Sequence, residues 1–416
     1  MRRDRDRGGR RPKGAPVLRR LAVWGPGLLV MFADTDAGNV VTAAQAGAEW
    51  GYRLLPLVLL LIPMLYMVQE LTVRLGIHTG RGHGELIGER FGPGWAVAST
   101  VGLAVATIGS LVTEFSGIAG VGELYGLSRG ATLPLAAVML LTVVATGAYR
   151  RVERTALFVG LFELAFFVVA WVARPNLATV AKDVTDLPIG NHEFRFLAAA
   201  VIGMTFNPWM VFYQQSATVD KKLRPDDYRA ARWDTAVGAV LTQLLTAAVL
   251  VAAAATLASG KPARLTSIGE ISNALSPVLG DRAGRIVFAI GVLGASSVAA
   301  IVSSLALAWG AGEVAGYRRS LEDRPFEAAW FYGVYGVGVI GAAGLVWLVP
   351  DLVGLNIAAQ VLNAFLLPLV IGLLVALGAT ALPPPLRLRG PRLWLTAGIW
   401  AVLAAVALLC GISGLS

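Results

Sequence analysis

The residues of this 416-residue chain best able to do chemistry stand where water is scarce. The stretch 33-ADTDAGNVVTAAQAG-47 places Asp34, Asp36, a glycine and Asn39 inside an apolar run that begins at Leu21. A second stretch, 203-GMTFNPWM-210, sets Asn207 directly before Pro208 in another apolar run. An unpartnered carboxylate in hydrocarbon costs several kcal/mol, so it must cap a half-helix, pair with a basic side chain or meet a cation from outside. No Lys or Arg lies within a predicted span beside Asp34 or Asp36. The pattern therefore points to a polar, cationic substrate. Asn39 and Asn207 either satisfy broken backbone or join Asp36 at one site. Pro208 reads as structural.

The elements that position these groups follow from composition. With 56% hydrophobic residues, 15% charged residues and 48 glycines, the chain reads as an all-α polytopic membrane protein. Apolar runs of spanning length place helices near 21–47, 51–73, 95–124, 131–148, 155–173 and 195–217, then near 233–258, 284–312, 328–349, 352–379 and 393–412. Two of these runs carry breaks. Asp, Gly and Asn cluster in the middle of the first, and Pro208 removes a backbone donor in the sixth. Breaks at corresponding places five spans apart fit two inverted five-helix repeats whose interrupted helices build a site at the bilayer midplane. The expected domains are a disordered basic tail over 1–20, a first repeat over 21–174, a second over 195–379 and an extra helix over 393–412.

Orientation follows from basic residues. With the N-terminus in the cytoplasm, 26 of the 35 Lys and Arg fall on inside segments, so eleven spans with the C-terminus outside satisfy the positive-inside rule. A cell (plasma) membrane location is expected. The net charge of +9 sits beside membrane spans and answers that rule and anionic lipid, not nucleic acid. Cys410 is the single cysteine, which excludes an intramolecular disulfide and a cysteine metal cluster. His78, His83 and Glu85 lack the helical spacing of a zinc hydrolase, and Gly80, Gly82 and Gly84 predict a solvated turn there. His192 is expected in an outside loop over 175–194. No span holds a paired nucleophile and base, so an enzyme is not expected. Neither a cofactor nor an obligate protein partner is implied.

The segment 25-GPGLLVMFADTDAGNVVTAAQAGAEWGYRLL-55, followed by 74-RLGIHTGRGHGEL-86, resembles the Nramp family of divalent metal transporters. That family's first-helix Asp-Pro-Gly-Asn motif stands here as Asp36-Ala37-Gly38-Asn39. The resemblance extends through 203-GMTFNPWMVFYQQS-216 and 358-AAQVLNAFLLPL-369. It implies a LeuT-type fold. Carried over one residue at a time, the metal ligands fall on Asp36, Asn39 and the Ala33 carbonyl, on the Met204 carbonyl, on Asn207 in place of a methionine, and on Gln360.

The departures narrow the expectation. Asn207 exchanges a soft thioether for a hard amide oxygen, which suits Mg²⁺, Mn²⁺ or Ca²⁺. Asp34 adds a second carboxylate. A family histidine becomes Trp209 and a third-helix carboxylate becomes Leu111, neither of which titrates. Glu114 is kept near the permeation path and is the one plausible proton carrier that remains. These changes resemble the Nramp-related magnesium transporter branch, which lacks coupled proton movement. The leading expectation is an uncoupled uniporter for Mg²⁺, and also Mn²⁺. A proton-coupled Mn²⁺/Fe²⁺ symporter is the alternative, and a sodium-coupled amino-acid transporter of the same architecture a distant third.

Overall fold

The computed structural model describes residues 23–145, 149–257, 264–265, 267–275, 281–321, 323–349 and 351–415. The expected tail over 1–20 lies outside the described residues. Among the described residues all regular structure is helical. The first helices are α1 (Pro26–Asp34), α2 (Ala37–Trp50), α3 (Leu55–Thr79), α4 (His83–Phe91), α5 (Pro93–Leu124) and α6 (Arg129–Ala145). They are followed by α7 (Tyr149–Gly160), a short 3₁₀ segment (Leu161–Leu164), α8 (Ala165–Ala173) and α9 (Leu177–Asp183). The remaining helices are α10 (His192–Thr205), α11 (Pro208–Asp220), α12 (Tyr228–Leu257), α13 (Ile268–Leu275), α14 (Asp281–Ala315), α15 (Ala329–Leu348), α16 (Leu352–Thr380) and α17 (Gly390–Leu415).

Among the described residues, each apolar run read from the sequence falls on one of these helices or on a helix pair; positions 21–22, 146–148 and 258 of those runs lie outside the described residues. Nine helices among the described residues are long and apolar enough to cross a membrane. The interrupted pair α1–α2 and the 17-residue α6 fall outside that measure. Two differences matter for the site. The fifth apolar run is not one helix but α7 and α8 joined through the 3₁₀ segment, which tightens the backbone in mid-span. The segment after Gly82 is the helix α4, not a turn.

The breaks have local causes. Pro26 begins α1, and Asp234 of α12 caps it from outside, accepting hydrogen bonds from the amides of Gly27 (2.7 Å), Gly25 (3.2 Å) and Leu28 (3.2 Å). These are N–H groups that the first turn of a helix cannot satisfy internally. Asp36 is extended and caps α2, while Phe206 and Asn207 leave the helical region before Pro208 starts α11. Around the breaks α1 and α2 pack on α12, α10 on α16 and α17, and α5 on α14. Leu60 of α3, Trp171 of α8, Val337 of α15 and Leu409 of α17 are exposed on the outside. Such an apolar surface suits lipid, because hydrocarbon chains replace the contacts that water cannot make.

Candidate functional site

Asp36 is fully buried and uses its two oxygens differently. Oδ1 accepts the amide of Asn39 at 2.6 Å, the ordinary capping bond, whereas Oδ2 accepts no N–H or hydroxyl, and the Glu114 carboxyl stands within hydrogen-bond reach of Asp36. Asn39 donates its side-chain amide to the carbonyl of Asp34, which turns Asn39 Oδ1 the other way and leaves it without a partner. The Ala37 amide donates to Glu114 Oε2 at 3.2 Å. With the Ala37 and Asn39 amides turned to carboxylates, they do not close back on the last turn of α1, where Ala33 sits. Carbonyls at a helix C-terminus carry partial negative charge and favour a cation.

The second break faces the first. Asn207 Nδ2 donates to Asp34 Oδ1 at 3.4 Å and to the Met204 carbonyl at 2.9 Å. From α16, Asn363 Nδ2 donates to Asn207 Oδ1 at 2.5 Å and to Gln360 Oε1 at 3.0 Å. Gln360 reaches this place because residue 38 is glycine: a β-carbon there would overlap the Gln360 amide nitrogen and stand 3.1 Å from Asp36 Oδ1. The fold thus gathers Ala33, Asp36 and Asn39 with Met204, Asn207 and Gln360. Their states differ, because the Met204 carbonyl and the Asn207 and Gln360 oxygens already accept amide protons while Asp36 Oδ2 and Asn39 Oδ1 accept none.

Asn363 is a site residue that sequence reasoning missed. Its signal was present: it stands one helical turn after Gln360, so both project from one face of α16. Glu163 was missed as well. It lies on the 3₁₀ segment, fully buried, with both carboxyl oxygens unpartnered and facing Thr35 at the first break. It is the lone acidic residue of the apolar run 155–173, and the rule that singled out Asp34 applies to it equally. The expectation that Glu114 is the one remaining candidate to carry a proton is therefore corrected. Among the described residues, Asp34, Asp36, Glu114 and Glu163 form no salt bridge. Three His, Cys, Asp or Glu side chains nowhere converge as a metal cluster among the described residues. A cation here has to draw on amides, hydroxyls and carbonyls in addition to carboxylates.

The other singled-out residues are placed as follows. Asp34 is fully buried, with Oδ2 accepting from Thr242 Oγ1 at 3.4 Å. Glu114 accepts from Thr113 Oγ1 at 3.1 Å as well as from Ala37. Trp209 is buried in the first turn of α11 with its indole N–H unpartnered. Leu111 is buried one turn before Glu114 and packs towards Gly338 of α15. His83, expected in a solvated turn, is instead fully buried. Its Nδ1 lies 3.0 Å from Gln215 Oε1, and its ring stands edge-on to Phe212. Burial lowers its pKa to about 4. The physical reason is that Glu313 accepts both the Gly84 amide (2.8 Å) and the Ser216 hydroxyl (2.5 Å), drawing the start of α4 onto α11 and α14. His192 begins α10, at the opposite end of that helix from the second break, and is exposed.

Residues 27–415 match the family model described as natural resistance-associated macrophage protein-like. The chain belongs to the Nramp family. This is a family of membrane transporters of divalent metal ions, not of enzymes, and the present Nramp protein shares its LeuT-type fold. Its structure is similar to that of the Eremococcus coleocola manganese transporter solved with an aromatic bis-isothiourea compound. The two are 18% identical, the TM-score is 0.74, and the match covers 97% of this chain and 88% of that one. Similarity extends to MhsT in complex with L-phenylalanine, at 16% identity and a TM-score of 0.60, covering 97% of this chain and all of the other (100%). A Na⁺-coupled sialic acid symporter matches at 14% identity and a TM-score of 0.61, covering 94% of this chain and 88% of its own. At these identities the likeness bears on the fold.

Proposed function

We propose that this Nramp protein is a uniporter that admits hard divalent cations, Mg²⁺ foremost and Mn²⁺ as well, across the cell membrane. The observation that carries this reading is the pair of buried, unpartnered oxygens on Asp36 and Asn39, opposite an asparagine at position 207. An all-oxygen donor set suits Mg²⁺, which binds oxygen and keeps several of its waters. Asp36 supplies the charge that offsets part of the ion's dehydration, with Ala33, Asn39, Met204, Asn207 and Gln360 as the other ligands. Rotation of the Asn363 amide off Asn207 and Gln360 would free two more oxygens. The placement within the magnesium transporter branch rests on Asn207, Trp209 and Leu111.

The accompanying topology is eleven spans with the N-terminus cytoplasmic, α1 to α8 forming one repeat, α10 to α16 its inverted partner, and α17 added. A proton-coupled Mn²⁺ symporter is a second reading, favoured by one observation: Glu114 and Glu163 bring two more buried carboxylates to the first break. Uptake into proteoliposomes separates the two. Under uniport, Mg²⁺ and Mn²⁺ enter faster with an inside-negative potential and internal pH stays constant. Internal acidification that tracks metal entry and disappears in Glu114→Gln would establish the symporter instead.

A further inference from the structure

Glu163 stands outside the donor set around Asp36, and its surroundings are hard to reconcile with an empty carboxylate. Its chain neighbours are Phe162 and Leu164, and the one donor near its oxygens is the Thr35 hydroxyl, which makes no close hydrogen bond to them. No basic side chain of the described residues pairs with it, and Asp36 and, more weakly, Asp34 act on it as like charges. Asp234 and Glu313, two other buried acids, show the contrast. The first accepts three backbone amides, and the second accepts an amide and a hydroxyl. A buried carboxylate with one distant hydroxyl and no cationic partner is tenable only with a cation or a proton bound to it.

The oxygens around it favour a cation. Glu163 faces Thr35, whose hydroxyl lies 2.8 Å from that of Thr242, and Thr242 in turn donates to Asp34 Oδ2 at 3.4 Å. This is a run of hard oxygens, with a carboxylate at each end, drawn from the first break, the 3₁₀ segment and α12. A proton on Glu163 could use the Thr35 oxygen alone, whereas the whole run of oxygens matches what a divalent cation recruits.

We propose that Glu163, with Thr35, Thr242 and Asp34, forms a second station for a divalent cation beside the Asp36–Asn39 site. The proposal rests on the transport reading above and adds a second ion to it. Two divalent ions in neighbouring stations repel each other, so each weakens the other's hold and speeds release, as multi-site conduction requires. The 3₁₀ segment gives the station its means of adjustment, since such a stretch inside a helix marks a point that can tighten or relax.

The test is the number of Mn²⁺ ions bound by the purified full-length protein in detergent, with free Mn²⁺ counted from its paramagnetic resonance signal. The wild type is expected to bind two ions per chain, Glu163→Gln one and Asp36→Asn one, with the doubly substituted protein binding none. Glu163→Asp keeps the charge on a shorter arm and is expected to retain both ions, the second at least about tenfold weaker, which separates loss of the station from loss of the fold. One ion in the wild type, kept in Glu163→Gln and lost in Asp36→Asn, would overturn the second station and leave the transport site standing. Two ions in Asp36→Asn with one in Glu163→Gln would support the station while removing Asp36 from metal binding. A wild type that binds no Mn²⁺ sinks both readings.

Discussion

Asp36 does two jobs with one carboxylate, and the jobs can be separated by substitution. Its Oδ1 caps α2 through the Asn39 amide, and its Oδ2 is open. Asparagine keeps a capping oxygen and loses the charge; alanine loses both. Uptake should fall to background in Asp36→Asn and Asp36→Ala alike, whereas thermal unfolding in detergent should show a loss of about 1 kcal/mol in the alanine variant alone. Near-normal uptake by either would remove Asp36 from the site. Asn207→Met replaces a hard oxygen with a soft sulfur and removes the acceptor of the Asn363 amide. The expected result is a relative gain of Cd²⁺ and Mn²⁺ over Mg²⁺ in competition uptake. An unchanged ratio would mean that residue 207 does not touch the ion.

Elements hold the site by capping and by close approach. Asp234 is to α1 what Asp36 is to α2, except that it comes from a different helix and fixes where α1 starts. Asp234→Ala leaves several buried amides unpaired and should cost about 1–3 kcal/mol, read as a lower unfolding temperature and weaker Mn²⁺ binding. Gly38→Ala puts a methyl group where Gln360 lies, and should impair uptake while α2 itself, gaining a better helix former, stays intact. Between the spans, α4 depends on His83 staying neutral. Burial holds its pKa near 4, below the value of an unfolded histidine, so its stabilising effect is present above about pH 6.5 and is lost as pH falls towards 4. The loss is on the order of 3 kcal/mol at most. His83→Asn should flatten the pH dependence of the unfolding temperature across that window; an unchanged profile would show that His83 is not its source.

At the scale of the whole molecule the testable property is direction. Twenty-six of the 35 basic residues lie on segments assigned to the cytoplasm, and the tested quantity is the side on which the chain ends. A reporter fused after Ser416 should be active outside the cell. Activity confined to the cytoplasm would overturn the odd number of spans. The burial of the two interrupted helices fits their assigned role: α1–α2 and α10–α11 are buried along most of their length, while α8, α15 and α17 present apolar faces outward. A polar site is thus surrounded by protein, and lipid meets only hydrocarbon.

The sequence by itself determined the membrane class, the positions of the long apolar helices and both breaks, because span length, proline and turn-forming residues act locally and need no partner to be read. It also determined that Asp34 and Asp36 require an explanation, since their cost in hydrocarbon is a property of the residue. The same rule applied to Glu163, but one acid in an otherwise apolar helix gives no local sign of what it faces. Only the tertiary structure decided that it faces Thr35, that the Asn363 amide meets Asn207, and that His83 is buried. These depend on contacts between residues as much as 208 positions apart, such as Thr242 and Asp34, and on which of several possible donors reaches an oxygen first. The chain's pattern of types and spacings sets the donors available; the packing of α1, α10, α12 and α16 sets which of them meet.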